Sequence, residues 1–342
     1  MPYSFLKKTE EFKSLGFEKY RNILLVTDSN VHKHCYSIVS NHFPNHHCLV
    51  LEPGDTYKNI ESATKIWAKS LEINLGRKDL IIGLGGGVIT DLVGFASATY
   101  KRGVHCAYIP TSLMAMLDAA HGGKTGVNLA GIKNSVGTFS EPEEIFIHFP
   151  FLNTLPHNEL LSGFAEAIKH AIIQGGELWE FVCGLSKLNV THFSPTFVEQ
   201  LIKVKLNIVV KDFKESGERK KLNLGHSMGH ALESLFMDVG KPLSHGHSVA
   251  LGILLESNIA REYFGLNKDM HTAIASLIEK HFEPIQIPFS ASQVLEKLSN
   301  DKKNSEKMLF TLPLDIGEVK YDCEVGAEQV EQSLRLYEKQ YS

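Results

Sequence analysis

Apolar runs of strand length recur through the first half of the chain, and this rhythm most narrows what it can fold into. "NILLVTD" (22–28), "HHCLVLEPGD" (46–55), "KDLIIGLGGG" (78–87) and "HCAYIPTS" (105–112) each end in an acidic, glycine or hydroxyl residue. Runs without apolar–polar alternation suit strands covered on both faces, as in parallel sheets. Between them, "IESATKIWAKSLEINL" (60–75) is amphipathic at helical spacing, with Ile60, Ala63, Ile66, Trp67 and Leu71 roughly on one side. The pattern predicts a Rossmann-like α/β domain, a mostly parallel sheet with helices on both faces.

The rhythm changes after residue 148. "FPFLNTLP" (149–156) is rich in turn residues, and helical periodicity then dominates. "HNELLSGFAEAIKHAII", "TFVEQLIKVKLNIVVKDF", "HSVALGILLESNIAREYF" and "TAIASLIEKHF" all read as helices, with short strands near "KMLFTLPL" and "GEVKYD". The expectation is an α/β domain over 1–148 and a largely α-helical domain over 149–342, with a cleft between them. No apolar run is long enough to span a bilayer, and "MPYSFLKKTEEFKSLGF" has no signal-peptide core, so a cytoplasmic protein without a membrane partner is expected. A net charge of −4 without a basic stripe argues against nucleic acid. The 5 cysteines are scattered and form no CxxC pair, so neither a disulfide framework nor a cysteine-rich zinc site is expected.

Two stretches carry candidate chemistry. "GLGGGVITDLVGFASATYKRG" runs from a strand end into a helix, where glycines permit close approach of a pyrophosphate. Tight helix–strand packing explains such glycines equally well, and Asp91, one turn into the helix, suits the helix dipole alone. Behind it, "IPTSLMAMLDAAHGGKTGVNLAGIKNSVG" carries Asp118, Lys124, Lys133 and Asn134 in a small, polar setting. Its lysines suit phosphate or carboxylate recognition, but "GGKTG" fails the P-loop spacing. The second stretch is "GHSMGHALE" (225–233). On a helix His226, His230 and Glu233 share one face, which is compatible with a metal site, an acid–base site or a wet surface.

Taken in order, "GGGVITDLVGFASATYKRG", "IPTSLMAMLDAAHGGKTGVN", "KN", "LLSGFAEAIKH", "ESGERKKLNLGHSMGHALES" and "HGHSVALGI" resemble the 3-dehydroquinate synthase family of sugar-phosphate cyclases. The resemblance runs from about Asp28 to "DKKN" at 301–304. It implies NAD on the first domain: Asp28 and Asn30 near the adenosine, Asp55 and Lys58 at the ribose. Gly86, Gly87 and Asp91 would be at the pyrophosphate with Thr111 and Ser112 nearby, and Asp118, Lys124 and Lys133 toward the nicotinamide. Phe151 to Thr154 would close over it. It implies a divalent metal, zinc or cobalt, on Glu166, His226 and His245. Lys124, Lys169, Lys205, Arg219, Asn223 and His230 would then surround a sugar acid phosphate, with His230 moving protons. Arg102, Lys302 and Lys303 would bind its phosphate, Arg102 across a homodimer. The reaction implied is that of 3-deoxy-arabino-heptulosonate 7-phosphate going to 3-dehydroquinate and phosphate, a step of the shikimate pathway toward chorismate and the aromatic amino acids.

Some residues depart from the family pattern. "HGH" (245–247) replaces the frequent HGE, so His247 competes on paper with His245. Ala120-His121 replaces Ser-Val, and Asp55 stands where Glu is usual. The rival readings are another cyclase of this superfamily, a metal-dependent polyol dehydrogenase, and an inactive binding protein.

Overall fold

The computed structural model describes residues 2–299 and 308–341. Contacts divide the chain into two compact units, Met1–Leu160 and Leu161–Ser342. The segment that follows residue 148 stays with the first unit through the ring of Phe151, which meets His148 edge-on at 5.0 Å. The Cys35 thiol also contacts the Thr154 hydroxyl at 3.5 Å.

The first unit holds a six-stranded sheet built from β1 (Tyr3–Leu6), β2 (Ile23–Asp28), β3 (His47–Leu51), β4 (Leu80–Gly85), β5 (His105–Pro110) and β8 (Glu144–His148). All pairings are parallel, in the order β1-β8-β5-β4-β2-β3. Every residue of β4 is buried, as an apolar run without alternation requires. From β2 the chain steps outward to β3, then returns to β4 on the other side of β2. The order therefore reverses between β2 and β4, and the carboxyl ends of these neighbours, Asp28 and Gly85, flank the point where open α/β sheets bind ligands.

The helices of this unit are α1 (Ser29–Val31), α2 (Ser37–Ser40), α3 (Ile60–Glu72) and α4 (Gly87–Thr99). α3 buries Ala63 and Ile66, and Trp67 donates to the carbonyl of Ala96 at 3.1 Å. Ile60 and Leu71, which periodicity puts on the same side, are exposed: they lie at the helix ends, beyond the width of the covered face. α4 packs deeply because it lacks a side chain at Gly94, where a Cβ would overlap the Tyr108 hydroxyl and the Thr125 methyl. The "GGKTGVN" stretch forms an antiparallel hairpin, β6 (Lys124–Leu129) with β7 (Ile132–Phe139). Sequence periodicity does not reveal this hairpin, nor the short strands β1 and β8. They are brief, and their register is imposed by neighbours remote in the chain.

The second unit carries α5 (His157–Gln174, which begins in the first unit), α6 (Gly176–Gly184), α7 (Pro195–Lys211) and α8 (His226–Asp238). After these come α9 (His245–Tyr263), α10 (Lys268–His281), α11 (Ala291–Ser299) and α12 (Ala327–Tyr341). The strands expected near "KMLFTLPL" and "GEVKYD" are present as the antiparallel pair β9 (Met308–Asp315) and β10 (Glu318–Val325). α9 is buried all round from Ser248 to Ala260, and its mostly apolar sequence suits that position. α8 lies hard against it. A Cβ at Gly229 would stand 2.7 Å from the Ser248 carbonyl oxygen, and one at Gly252 would overlap that of Gly225. Among the described residues no helix is long and apolar enough to cross a membrane.

The fit of α4 against β5 and β6 is directly testable. Gly94→Ala forces a methyl into the space of Tyr108 and Thr125, so the urea midpoint should fall by the equivalent of about 1–3 kcal/mol. An unchanged midpoint would show that this packing is looser than described.

Candidate active site

In the second unit one carboxylate gathers the candidate groups. Glu166 lies on α5 among Phe164, Ala165 and Ile168, and is 1% exposed. A carboxylate so buried requires compensation. Lys169, three residues on and equally buried, forms an ion pair with its Oε2. The pair is thus an interior one rather than the surface bridge that i,i+3 spacing alone allows. The other oxygen, Oε1, stands 3.7 Å from His226 Nε2 and 3.7 Å from His245 Nε2.

Both histidines open helices. His226 follows Gly225, whose φ of +80° suits glycine and whose Cβ would press on Ile253 and the Val249 carbonyl. The Nδ1–H of His226 donates to the Leu224 carbonyl at 3.0 Å, which leaves Nε2 as the free lone pair facing Glu166. His245 follows Ser244, whose hydroxyl accepts from the His247 amide at 3.3 Å. His245 Nδ1 lies 3.8 Å from Glu233 Oε2. His230, exposed and one turn along α8, completes a triangle of rings, with centroids 5.2 Å from His226 and 5.7 Å from His245. One nitrogen from each of the three lies within 4.8 Å of the others. Burial and the charge of Lys169 push His226 well below the ordinary imidazole range, although Glu166 opposes them. Burial also opposes the charged form of His245, but Glu166 and Glu233 outweigh it and lift the ring to about 9. A carboxylate oxygen ringed by imidazoles is a donor set suited to a divalent transition metal.

His247 does not share this arrangement. Its ring packs edge-on against Phe282 at 5.2 Å, and burial lowers its pKa. Two residues along a helix point to different faces, so of "HGH" it is His245 that stands beside Glu166.

The remaining basic candidates of this unit are sorted by burial. Lys205 on α7 is buried, although as an isolated lysine among apolar residues it would be expected to reach solvent. Of the run 219–221, only Arg219 is interior, with its Nη1 donating to the Phe213 carbonyl at 2.6 Å. Lys220 pairs with Asp322 at 2.7 Å and Lys221 with Glu218 at 2.8 Å. Asp212 organises this loop by accepting from the amides of Ser216, Gly217 and Arg219. These bonds hold its carboxyl down at about 2. Asn223 donates to Glu215 at 2.8 Å. Lys302 and Lys303 lie outside the described residues.

The first unit holds the other candidates. Gly86 caps α4 with no side-chain bond, and a Cβ there would meet the Ser112 hydroxyl at 3.3 Å. A Cβ at Gly87 would meet that of Ala119 at 3.1 Å, while one at Gly85 would strike Ile89 at 2.6 Å. Gly85 therefore serves helix packing, whereas Gly86 and Gly87 open a cradle at the helix start. The Thr111 amide donates to the Gly85 carbonyl at 3.0 Å, which sets Thr111 and Ser112 beside it. Asp28 caps α1 through the Val31 amide at 2.9 Å, and Asn30 is exposed. Asp91 does more than favour the helix dipole: it pairs with the buried Lys58, which also bonds Asn134 of the hairpin. Lys133 reaches Asp55 at 3.2 Å. Asp118 lies in the turn Ala115–Ala119, and Lys124 opens β6 on an exposed face. The Phe151 ring is wholly buried, and Thr154 donates to its carbonyl at 2.7 Å. His121 is buried with Nε2 on the Met116 carbonyl at 2.9 Å. Arg102 occupies a left-handed turn at the far end of α4, about 20 Å along the helix axis from the glycines.

Sequence reasoning missed Glu256. It is fully buried on α9, and its carboxyl accepts the amides of Gly225 at 2.5 Å and Met228 at 3.2 Å. It thereby satisfies the open first turn of the helix that carries His226 and His230. A glutamate within "VALGILLESNIA" was the available signal, because a charge in an apolar helix needs a partner.

The family model described as 3-dehydroquinate synthase N-terminal matches residues 48–162, and that of the C-terminal part matches 163–304. A 3-dehydroquinate synthase of Parabacteroides distasonis is 37% identical over 340 residues, 98% of this chain and 96% of that protein. A 2-epi-5-epi-valiolone synthase from Streptomyces hygroscopicus, solved with NAD+ and Zn2+ bound, superposes with a TM-score of 0.90. It is 24% identical, over 99% of this chain and 96% of that one. A 2-deoxy-scyllo-inosose synthase complexed with carbaglucose-6-phosphate, NAD+ and Co2+ gives 0.88 at 21% identity, over 98% and 96%.

Glu256 has a pH signature. Burial pushes its carboxyl up to about 8 against the amides that bond it. A carboxyl raised on folding stabilises fully below its unfolded range, and that contribution fades as pH rises through about 8. Glu256→Gln should therefore flatten the loss of unfolding free energy between pH 5 and 9. Glu256→Ala, which strands buried amides, should cost about 1–3 kcal/mol throughout. Parallel pH profiles for wild type and Glu256→Gln would refute the assignment.

Proposed function

The chain belongs to the 3-dehydroquinate synthase family, and we propose that it converts 3-deoxy-D-arabino-heptulosonate 7-phosphate into 3-dehydroquinate and phosphate, in the shikimate pathway. The observation that carries the proposal is the buried Glu166 carboxylate, with Lys169 on one oxygen and two imidazole nitrogens 3.7 Å from the other. That donor set fits a divalent metal, zinc or cobalt, held by Glu166, His226 and His245, and the glycine cradle at the start of α4 fits the pyrophosphate of NAD. A metal held there would supply Lewis-acid polarisation of a substrate hydroxyl, and NAD held at the cradle would supply a reversible hydride acceptor, so that no net oxidation results.

This chain's own residues do the rest. Lys169 occupies Oε2 of Glu166 and so leaves Oε1 to face the two imidazoles. His230, exposed and with three other donors already present, serves as the proton-handling group for the substrate hydroxyl. Lys205 and Arg219 are buried cations suited to the substrate carboxylate, with Asn223 orienting its hydroxyls, and Lys124 in the first unit serves the nicotinamide side. Asp28, Asn30, Asp55, Lys58, Asp91, Thr111, Ser112, Asp118, Lys133, Phe151 and Thr154 serve the NAD side, where Lys58 ties the helix start to the hairpin. The phosphate is assigned to Lys302 or Lys303, which lie outside the described residues. Arg102 lies a full helix length from its own chain's glycine cradle, which suits service to the partner in a homodimer.

Cyclases that make an inosose or a valiolone ring share the fold, but act on substrates without a carboxylate. The buried Lys205 and Arg219 favour an acid substrate, and so does 37% identity to a 3-dehydroquinate synthase over nearly the whole chain. Purified protein with NAD+ and zinc should release phosphate from the heptulosonate phosphate, with no accumulation of NADH. It should release little from a ketoheptose phosphate lacking the carboxylate. The opposite preference would move the assignment to another cyclase, and stoichiometric NADH would move it to a dehydrogenase.

The two histidines of α8 separate by substitution. His230→Ala should retain metal and lose activity by roughly 10²–10⁴-fold, as expected for a positioned acid–base group. His226→Ala and His245→Ala should purify without stoichiometric metal and keep only a much weaker residual affinity. Metal analysis decides, and loss of metal from His230→Ala with retention in His245→Ala would reverse the roles. Because His245 holds its proton up to about 9, a proton competes with the metal below that pH. Apparent metal affinity should therefore rise with pH toward 9, and a flat profile from pH 6 to 9 would contradict His245 as a ligand.

A further inference from the structure

Glu233 has no part in the scheme above, yet it is only 4% exposed and sits on the helix face that carries His226 and His230. A buried carboxylate of this kind has to be compensated. Its Oε2 lies 3.8 Å from Nδ1 of His245, on the opposite side of that ring from Glu166. His226 shows the same construction with a different anchor. Its Nδ1 is tied to the Leu224 carbonyl at 3.0 Å, and its Nε2 is 3.7 Å from the same Glu166 oxygen. Each imidazole thus has an oxygen behind Nδ1 while Nε2 faces Glu166, for His226 a neutral carbonyl at hydrogen-bond distance and for His245 a carboxylate at ion-pair distance. His245 opens α9. Glu233 reaches it from α8, across the close α8–α9 contact that Gly229 and Gly252 permit.

We propose that Glu233 is a positioning residue for His245: its carboxylate fixes the ring with Nε2 toward Glu166 and adds a negative charge behind the cation-binding face. A carboxylate behind a ligating imidazole both sets the tautomer and raises the basicity of the forward nitrogen. The inference rests on reading Glu166, His226 and His245 as metal ligands.

Cobalt(II) titration of chelator-treated protein, followed by visible absorption, tests both levels. Wild type should develop the absorption of a four- or five-coordinate site. Glu233→Ala should bind cobalt about 10–100-fold more weakly, and Glu233→Gln about 10-fold more weakly, with far-UV circular dichroism unchanged. In a His245→Ala background the further change Glu233→Ala should alter the residual affinity less than twofold, because the residue it acts through is gone. A full-sized effect in that background would show a merely structural role and overturn the proposal. Wild-type affinity in Glu233→Gln would overturn it too, and this variant decides alone if Glu233→Ala does not fold. Failure of wild type to bind cobalt at all would instead bring down the ligand reading beneath it.

Discussion

A carboxylate without access to water has to be surrounded by compensating groups, and Glu166 imposes that requirement on the second unit. Lys169 pairs with one oxygen, and the other faces His226 and His245. An arrangement of this kind is weak evidence for stability, because desolvation of the two charges consumes much of their attraction. Removing either partner would nevertheless strand the other. Its presence in an otherwise apolar helix is understandable as an expense borne for chemistry.

The two imidazoles come from the first residues of separate helices, so their spacing depends on how α8 and α9 meet. That contact is set by glycine. Gly225, Gly229 and Gly252 let backbone approach backbone, and any side chain there would push the helices apart and His226 away from Glu166. Close approach alone would leave the open amides of the first turn of α8 buried and unsatisfied. Glu256 answers that need from inside α9. Packing, helix capping and the position of the donor groups are therefore one problem with one solution.

The first unit solves a different problem, how to bring an anion near a backbone. The reversal of strand order between β2 and β4 leaves a gap at the carboxyl ends of the sheet, and α4 starts there without a side-chain cap. Lys58 then links this helix start, through Asp91, to Asn134 on the β6–β7 hairpin. A hairpin of two short strands is marginal by itself. Buried ties of this kind, with the Asn128 side chain on Asp55, hold it against the sheet.

Much of this was legible in the sequence. The parallel strands β2, β3, β4 and β5 and the long helices of the second unit follow from local pattern. Hydrophobic periodicity and helix spacing are short-range properties, and residues four apart on a helix share a face whatever the rest of the chain does. What the tertiary structure decided were the long-range matters. These include the short strands β1 and β8, the hairpin, the exposure of Ile60 and Leu71, the seating of His245 rather than His247 beside Glu166, and the placing of Glu256 against the amides that open α8. Each depends on which remote surface arrives at a given face. That is set by side-chain volume and by the need to satisfy buried charge, and neither quantity is written in any single stretch of sequence.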